Sequence, residues 1–255
     1  MGLWGTGIRA PAMAFACKIG VEHMPRTRAD DYDQKKKHIL DVSASMFAKL
    51  GYVGCKMEDV AEKCGVSKSM LYYYFPRKED ILFEILRGHV TNLNGAIEEH
   101  LKTANSKDPV EFFRGYIEVY LERSSNARER HAVMLNDTRF LPRDMILLQE
   151  NLERRNVQLT TEILERVAPG NSATELKVYA FLLLGMINWV ELWFHDSGSV
   201  SRPELYDRIA SVFLKGFLKG FQGKYAAPAA SSRTKRKELR GGRRGPIAGR
   251  AADRP

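Results

Sequence analysis

MEDVAEKCGVSKSMLYYYFPRK, residues 57–78, is the stretch whose reading decides the fold. Met57, Val60, Ala61 and Cys64 recur three and four apart, which puts them on one face of a short helix. Gly65 stops that helix, because glycine takes the left-handed conformation without a Cβ penalty. Ser67 can cap a further helix whose apolar side is Leu71, Tyr74 and Phe75. Pro76 breaks the chain, and Lys78, Glu79 and Asp80 open a long helix. Ala61, Gly65 and Leu71 stand at i, i+4 and i+10. In a helix-turn-helix the small residue lets two helices cross closely, the glycine makes the turn, and the later apolar residue fills the angle between them.

The outward face of the helix after Ser67 carries the chemistry. With Leu71, Tyr74 and Phe75 turned inward, a 100° step per residue points Ser69 and Tyr73 out, with Met70 and Tyr72 beside them and Lys68 at the start. Tyr73 cannot face inward together with Leu71 and Phe75, so the aromatic run is more than a core segment. Hydroxyls, one cation and two aromatic rings without an acid suit a DNA major groove: Lys68 and the serines reach base edges, Met70 meets thymine methyls, and tyrosine hydroxyls reach phosphates. Lys78, at the next helix start, is placed to hold a further phosphate.

Upstream, Ile39, Val42, Met46, Phe47 and Leu50 form one helix face that ends at Gly51, and Phe47 and Leu50 complete a small core. Downstream, helices are predicted over 108–124, 127–138, 142–167, 173–194 and 202–222. Period-2 alternation is absent. The prediction is an all-α chain of about nine helices: an N-terminal three-helix head and a larger C-terminal helical body. The boundaries read as a flexible leader and arm over 1–31, a DNA-binding domain over 32–92, a body over 93–223, and a disordered basic tail over 224–255. In the leader, the apolar run from Ala10 to Cys17 is short, broken by Pro11 and closed by Lys18, unlike a secretory signal. It reads as a flexible leader or as residues upstream of a start at Met24, which is followed by a short basic arm.

The net charge of +9 hints at nucleic acid, but nearly all of the excess, +8, sits in residues 224–255. Cys17, Cys55 and Cys64 are too few and too scattered for a disulfide framework or a metal set, which fits a reducing cytoplasm. No nucleophile elbow, phosphate loop or metal-spaced cluster occurs, and the histidines are scattered, so neither enzyme nor cofactor is expected. No run of 18 apolar residues is present, so no membrane partner is expected.

Gly51-Tyr52, Met57–Ala61, Gly65–Ser69 and Leu71–Glu79 together resemble the tetracycline-repressor (TetR) family of bacterial transcriptional regulators, over about Gln34 to Leu86. The resemblance implies a homodimer with a three-helix head and an effector-binding body. Carried onto matching positions it implies DNA contacts by Ser67, Lys68, Ser69, Met70, Tyr72, Tyr73 and Lys78. The family has Thr or Ser where Cys55 and Lys56 stand, so the second helix lacks its side-chain cap, and Lys56 becomes a direct phosphate candidate.

In the body, Val178–Phe194 is apolar on nearly all sides and is expected to be buried on nearly all sides. Phe213, Gly216, Phe217 and Gly220 are predicted to line a dimer interface, the glycines permitting close helix approach. Phe112, Tyr116, Tyr120, Met134, Met145, Met186, Asn188 and Trp189 are predicted to line an effector pocket, by the apolar composition usual for such sites. His131–Asp137 with Phe140–Pro142, and Gly185–Trp189, are similar to a TetR subgroup that answers acyl-coenzyme A thioesters. The expected function is a homodimeric repressor, released from a palindromic double-stranded operator by a small apolar effector such as an acyl-CoA of fatty or aromatic acid catabolism. The alternative is a repressor of an efflux or stress gene that answers a hydrophobic drug-like compound.

Overall fold

In the computed structural model the described residues are 26–220, and all their regular structure is helical. The leader before residue 26 and the basic tail, with Cys17 and Phe221, lie outside them. The helices are α1 (Arg26–Gly54), α2 (Met57–Cys64), α3 (Lys68–Tyr74), α4 (Lys78–Thr103), α5 (Pro109–Asn126), α6 (Arg128–Asp137), α7 (Arg143–Val167), α8 (Ala173–Asn188), α9 (Val190–Trp193) and α10 (Arg202–Gly220). One 3-10 turn, Thr138–Phe140, follows α6. The all-α reading is correct, with two local differences. Gly51 leaves helical geometry at φ 74° and ψ 153°, as a stop requires, but a short further helical piece follows it within α1. The predicted helix over 173–194 is interrupted at Trp189, beside Asn188, whose Oδ1 accepts from the Tyr120 hydroxyl at 2.7 Å.

Two compact units share the chain. Of the described residues, the first comprises those up to His89 together with Ala127–Glu150, and the second comprises Val90–Asn126 and those from Asn151 onward. Residues 127–150 therefore group with the head, not with the rest of the stretch 93–223. In the first unit Ile39, Phe47, Val60, Ala61, Leu71, Phe75 and Ile81 pack with Val133, Leu141 and Met145 of the α6–α7 region. Leu50 does not join them; it is exposed on the far side of α1. Arg130 of α6 also pairs with Asp41 of α1 at 2.6 Å, and His131 meets His89 of α4 at 3.1 Å between ring nitrogens.

The second unit's core runs from Leu93 and Ile97 through Phe113, Tyr116, Ile117, Leu159, Ile163, Leu183 and Ile187 to Phe213 and Phe217. A line of neutral polar groups crosses it. Asn156 Nδ2 donates to Asn94 Oδ1 at 2.8 Å, Thr160 Oγ1 to the Asn156 carbonyl at 2.9 Å, and the Tyr116 and Thr160 hydroxyls meet at 3.0 Å. The segment Ala173–Trp193 is long and apolar enough to cross a membrane by length and composition, with mean hydropathy 1.3. Leu176, Ala180, Leu183, Leu184 and Ile187 bury one side of it in this core, as in a core helix of a folded domain.

Candidate nucleic-acid interface

The α2–α3 corner is built as its sequence requires. Gly65 sits at φ 67° and ψ 29°, and its N–H and that of Val66 donate to the Glu62 and Ala61 carbonyls, each at 3.0 Å. This closes the end of α2 in the left-handed turn that glycine favours. Ser67 then caps α3, its Oγ accepting from the Met70 N–H at 3.1 Å. At the start of α2 no side chain caps the helix at Lys56; Asp59 Oδ2 accepts from the Lys56 N–H at 3.0 Å instead. Leu71 is fully buried, and Phe75 lies against the same core.

The opposite side of α3 is open. Tyr73 is 74% exposed, and Lys68, Ser69, Met70 and Tyr72 are exposed around it. The Ser67 and Ser69 hydroxyls are 3.0 Å apart. Two features of this face escape a reading of the sequence. Tyr32 of α1 packs against Tyr74 with ring centroids 4.7 Å apart and meets Tyr73 edge-on at 6.3 Å, so α1 braces the recognition helix. Glu58 of α2 stands 3.7 Å from Lys68 Nζ, so an acid does border the face. Ion pairing between neighbouring helices is invisible to a reading of α3 alone.

Lys56 is exposed at the α2 start, as a phosphate contact requires. Lys78 is less open than Lys56. Its ammonium donates to the Tyr52 carbonyl, lies 4.0 Å over the Tyr52 ring centroid and 5.8 Å from that of Phe47, and is partly buried. Burial pushes its pKa down from the ordinary lysine value. The Arg77 guanidinium is taken up by Asp80, with Nη2 to Oδ1 at 2.7 Å.

The body residues divide differently from the prediction. Phe112, Tyr116 and Tyr120 are buried and Asn188 is half-buried, all in the second unit, with Tyr120 and Asn188 hydrogen-bonded. Met134 and Met145 pack in the first unit's core. Met186 and Trp189 face outward, Trp189 at 62% exposure. Phe213 and Phe217 are likewise buried in the chain's own core, where their rings stack on each other, Phe213 stacks on Phe113, and Tyr179 meets both edge-on. Gly216 is on the exposed side of α10, as is Val212; of Gly220 only its place in the helix is described. The exposed apolar residues of α8 are Val178, Phe181, Leu182 and Met186, continued by Trp189. Their spacing of three and four is legible as a second stripe beside the core stripe. Val178–Phe194 is thus buried on one side only in the single chain. Among the described residues no group of three or more His, Cys, Asp or Glu could hold a metal ion.

The sequence pattern described as "Bacterial regulatory proteins, tetR family" matches residues 39–85, and that described as "Tetracyclin repressor-like, C-terminal domain" matches residues 106–217. The HTH-type transcriptional repressor KstR2 of Rhodococcus jostii is 27% identical over 197 residues, spanning 74% of this chain and 95% of that protein. A crystal structure of a TetR-family transcriptional regulator from Bordetella parapertussis 12822 superposes with TM-score 0.65 at 33% identity, covering 72% of this chain and 96% of that one. AibR, solved in complex with isovaleryl coenzyme A and operator DNA, shares the fold at TM-score 0.59 and 20% identity, over 72% of this chain and 97% of that one.

Proposed function

The chain belongs to the tetracycline-repressor (TetR) family of DNA-binding transcriptional regulators, and from that premise we propose that it is a homodimeric repressor released from a palindromic operator by a small apolar effector. One observation carries the proposal: a fully buried Leu71 seats α3 while Lys68, Ser69, Met70, Tyr72 and Tyr73 stand exposed on its other side. Short polar groups, a cation and hydroxyl-tipped rings on a solvent-facing helix can read base edges and phosphates. Lys56 adds a phosphate contact from α2. The similarity to KstR2, a repressor, supports repression over activation.

The dimer reading rests on the exposed apolar side of α8 and α10. Val178, Phe181, Leu182, Met186, Trp189 and Val212 form an apolar surface of the kind that marks protein interaction, and Gly216 lets a second helix approach. A second copy would cover it through a self-complementary two-fold contact. Two recognition helices about 34–36 Å apart would then read a palindrome.

For the effector, the second unit offers Phe112, Tyr116, Tyr120 and Asn188 with the neutral Asn94–Asn156–Thr160 line. These groups suit an apolar molecule carrying carbonyls or hydroxyls. The subgroup similarity over His131–Asp137 and Gly185–Trp189 points to an acyl-CoA, and AibR, a relative in fold, was solved with isovaleryl coenzyme A. An effector releases the operator to the extent that it binds the non-DNA-binding state more tightly.

The test is native mass spectrometry of the purified chain, followed by gel shifts on DNA from upstream of its own gene with a panel of acyl-CoAs. The expected outcome is a dimer that retards the fragment and lets it go with one thioester. A monomer, or retardation equal for unrelated DNA, overturns the proposal. Release by drug-like amphiphiles and not by thioesters replaces the effector class.

A further inference from the structure

We propose that Tyr32, on the first turns of α1, is a positioning residue of the DNA-reading face: its ring limits the places open to the Tyr73 side chain of α3 and so readies Tyr73 for the duplex, while Tyr32 itself does not touch DNA. The proposal rests on the DNA-binding reading above and deepens it.

The recognition helix has little to hold it. α3 is seven residues long, and among them only Leu71 is buried. A helix that short does not keep its shape alone and depends on packing. Leu71 fixes the inner side, but Tyr72 and Tyr73 stand exposed at the far end, Tyr73 the more so. A tyrosine that open exchanges rotamers freely, and fixing one of them on binding costs entropy. The missing contact comes from α1. Tyr32, Lys36, Ile39, Ser43 and Phe47 stand at i, i+4, i+7, i+11 and i+15, which is one face of that helix. Ile39, Ser43 and Phe47 are buried, so the face is fixed against the core of the head, and its N-terminal continuation runs along the end of α3. Two residues report that course independently. Lys36 Nζ lies 5.8 Å from the Phe75 ring centroid and 3.7 Å from Glu84 Oε2. One turn earlier, the Tyr32 ring lies 4.7 Å from that of Tyr74, with 31° between the planes, and 6.3 Å from that of Tyr73, at 86°. Tyr73 and Tyr74 meet each other at 5.5 Å and 84°. Each of the three rings thus meets the other two, at separations that aromatic pairs favour. The place of Tyr32 follows from the register of α1. Tyr73 is flanked on one side and keeps its outer side open.

The experiment uses the full chain and a duplex enriched from a random-sequence pool by the wild type. Binding is measured by fluorescence anisotropy from about 50 to 300 mM salt, with thermal melts giving the folded fraction. Tyr32→Ala is expected to weaken binding about fivefold, the cost of ordering a loosened Tyr73, and to leave the salt slope unchanged because the charged contacts stay in place. Tyr32→Phe keeps the ring and loses the hydroxyl, and is expected to bind within about 1.5-fold of the wild type. In a Tyr73→Ala chain, already weakened, the further loss from Tyr32→Ala is expected to shrink to within about 1.5-fold, since no ring is left to hold. A loss for Tyr32→Phe equal to that for Tyr32→Ala overturns the proposal, because the hydroxyl would then meet DNA directly. So does a loss that persists in full without Tyr73, a salt slope that falls, or an affinity unchanged once the folded fraction is accounted for. Should Tyr32→Ala fail to fold, Tyr32→Leu keeps an apolar contact for Tyr74 and loses the flat ring; weakened binding that depends on Tyr73 supports the proposal, and wild-type binding sinks it. Tyr73→Ala that binds as the wild type does removes Tyr73 from the reading face and ends the proposal, leaving the rest of the DNA-binding reading in place. A wild type that enriches no duplex defeats that reading itself, and the proposal with it.

Discussion

Helices α3 and α8 solve the same geometric problem with different chemistry. Each buries one side in its own unit and turns large side chains outward on the other. On α3 the outward rings are Tyr72 and Tyr73, set among Lys68 and Ser69. On α8 the large outward side chains are the apolar Val178, Phe181, Leu182 and Met186, while the exposed polar residues, Thr174, Glu175 and Lys177, sit in its first turns. Exposed rings tipped with hydroxyls stay wet and can trade water for phosphate and base edges. Exposed aliphatic and phenyl groups gain only by losing water, which a second apolar surface provides. The contrast is what the proposed function builds on, with nucleic acid at one helix and a second protein chain at the other.

The largest effect should come from breaking the α8 side. Phe181→Glu with Leu182→Glu would bury two carboxylates at the proposed interface, where hot-spot residues contribute about 2 kcal/mol or more each. The dimer dissociation constant, read by sedimentation equilibrium, should rise at least about 1000-fold, roughly 4 kcal/mol. An unchanged dimer would place the interface elsewhere. Next comes the inner side of α3. Leu71→Ala should cost about 3 kcal/mol in urea unfolding, because the side chain is fully enclosed. Tyr73→Ala should stay within about 0.5 kcal/mol and yet weaken DNA binding. Equal destabilisation by the two would erase the distinction between seat and reading face.

Much of this division is legible in the sequence. The helix-turn-helix is specified by short-range features: Gly65 for the turn, Ser67 for the cap, Leu71 for the seat. Each acts within a few residues of itself, so the pattern carries it. The partners of Phe213 and Phe217 on α10 are not legible in that way. Periodicity groups residues on a face but does not say whether the face meets the chain's own core or a second chain. The partner of Lys78 is hidden from the sequence for a related reason. A lysine at a helix start looks free until the carbonyl of Tyr52, 26 residues earlier, is brought to it. The placement of Met134 and Met145 in the first unit's core is not legible either, because composition selects large apolar side chains without saying which core they fill.

The two units should also respond differently to acid. His89 and His131 are buried together in the first unit, and desolvation, then the facing His131 and Arg130, pushes the His89 pKa down to about 3. The unfolded chain takes up this proton as pH falls through the ordinary histidine value, whereas the folded chain does not until near its depressed pKa. The stability is therefore present above about pH 6.5 and is lost as pH falls, by up to about 1.4 kcal/mol per unit, or about 2 kcal/mol by pH 5. In the second unit the buried polar groups are mostly amides and hydroxyls, the buried Glu191 is paired with Arg202 at 3.3 Å, and His100 is only half-buried. Urea unfolding at pH 7 and pH 5 should show the loss in the wild type and a flatter profile in His89→Gln. Equal slopes in the two proteins would refute the assignment.

The smallest effect tests how clean the α3 face is. Glu58 lies 3.7 Å from Lys68 Nζ, both side chains are well exposed, and the pair is therefore weak. It still competes, because a lysine that reaches for a base edge must leave its carboxylate. Glu58→Gln removes the competitor without altering the α2 core, so binding should tighten by about twofold, roughly 0.5 kcal/mol. Lys68→Ala should act in the opposite sense and relax preference at the bases it contacts, leaving other positions of the site unchanged. In the double variant the gain from Glu58→Gln should shrink, because much of that gain works through Lys68. Competitive binding to the enriched duplex and its single-base variants reads all three. If Glu58→Gln gains the same factor with and without Lys68, the carboxylate acts on the DNA phosphates at large, and the groove-facing role of Lys68 loses its support.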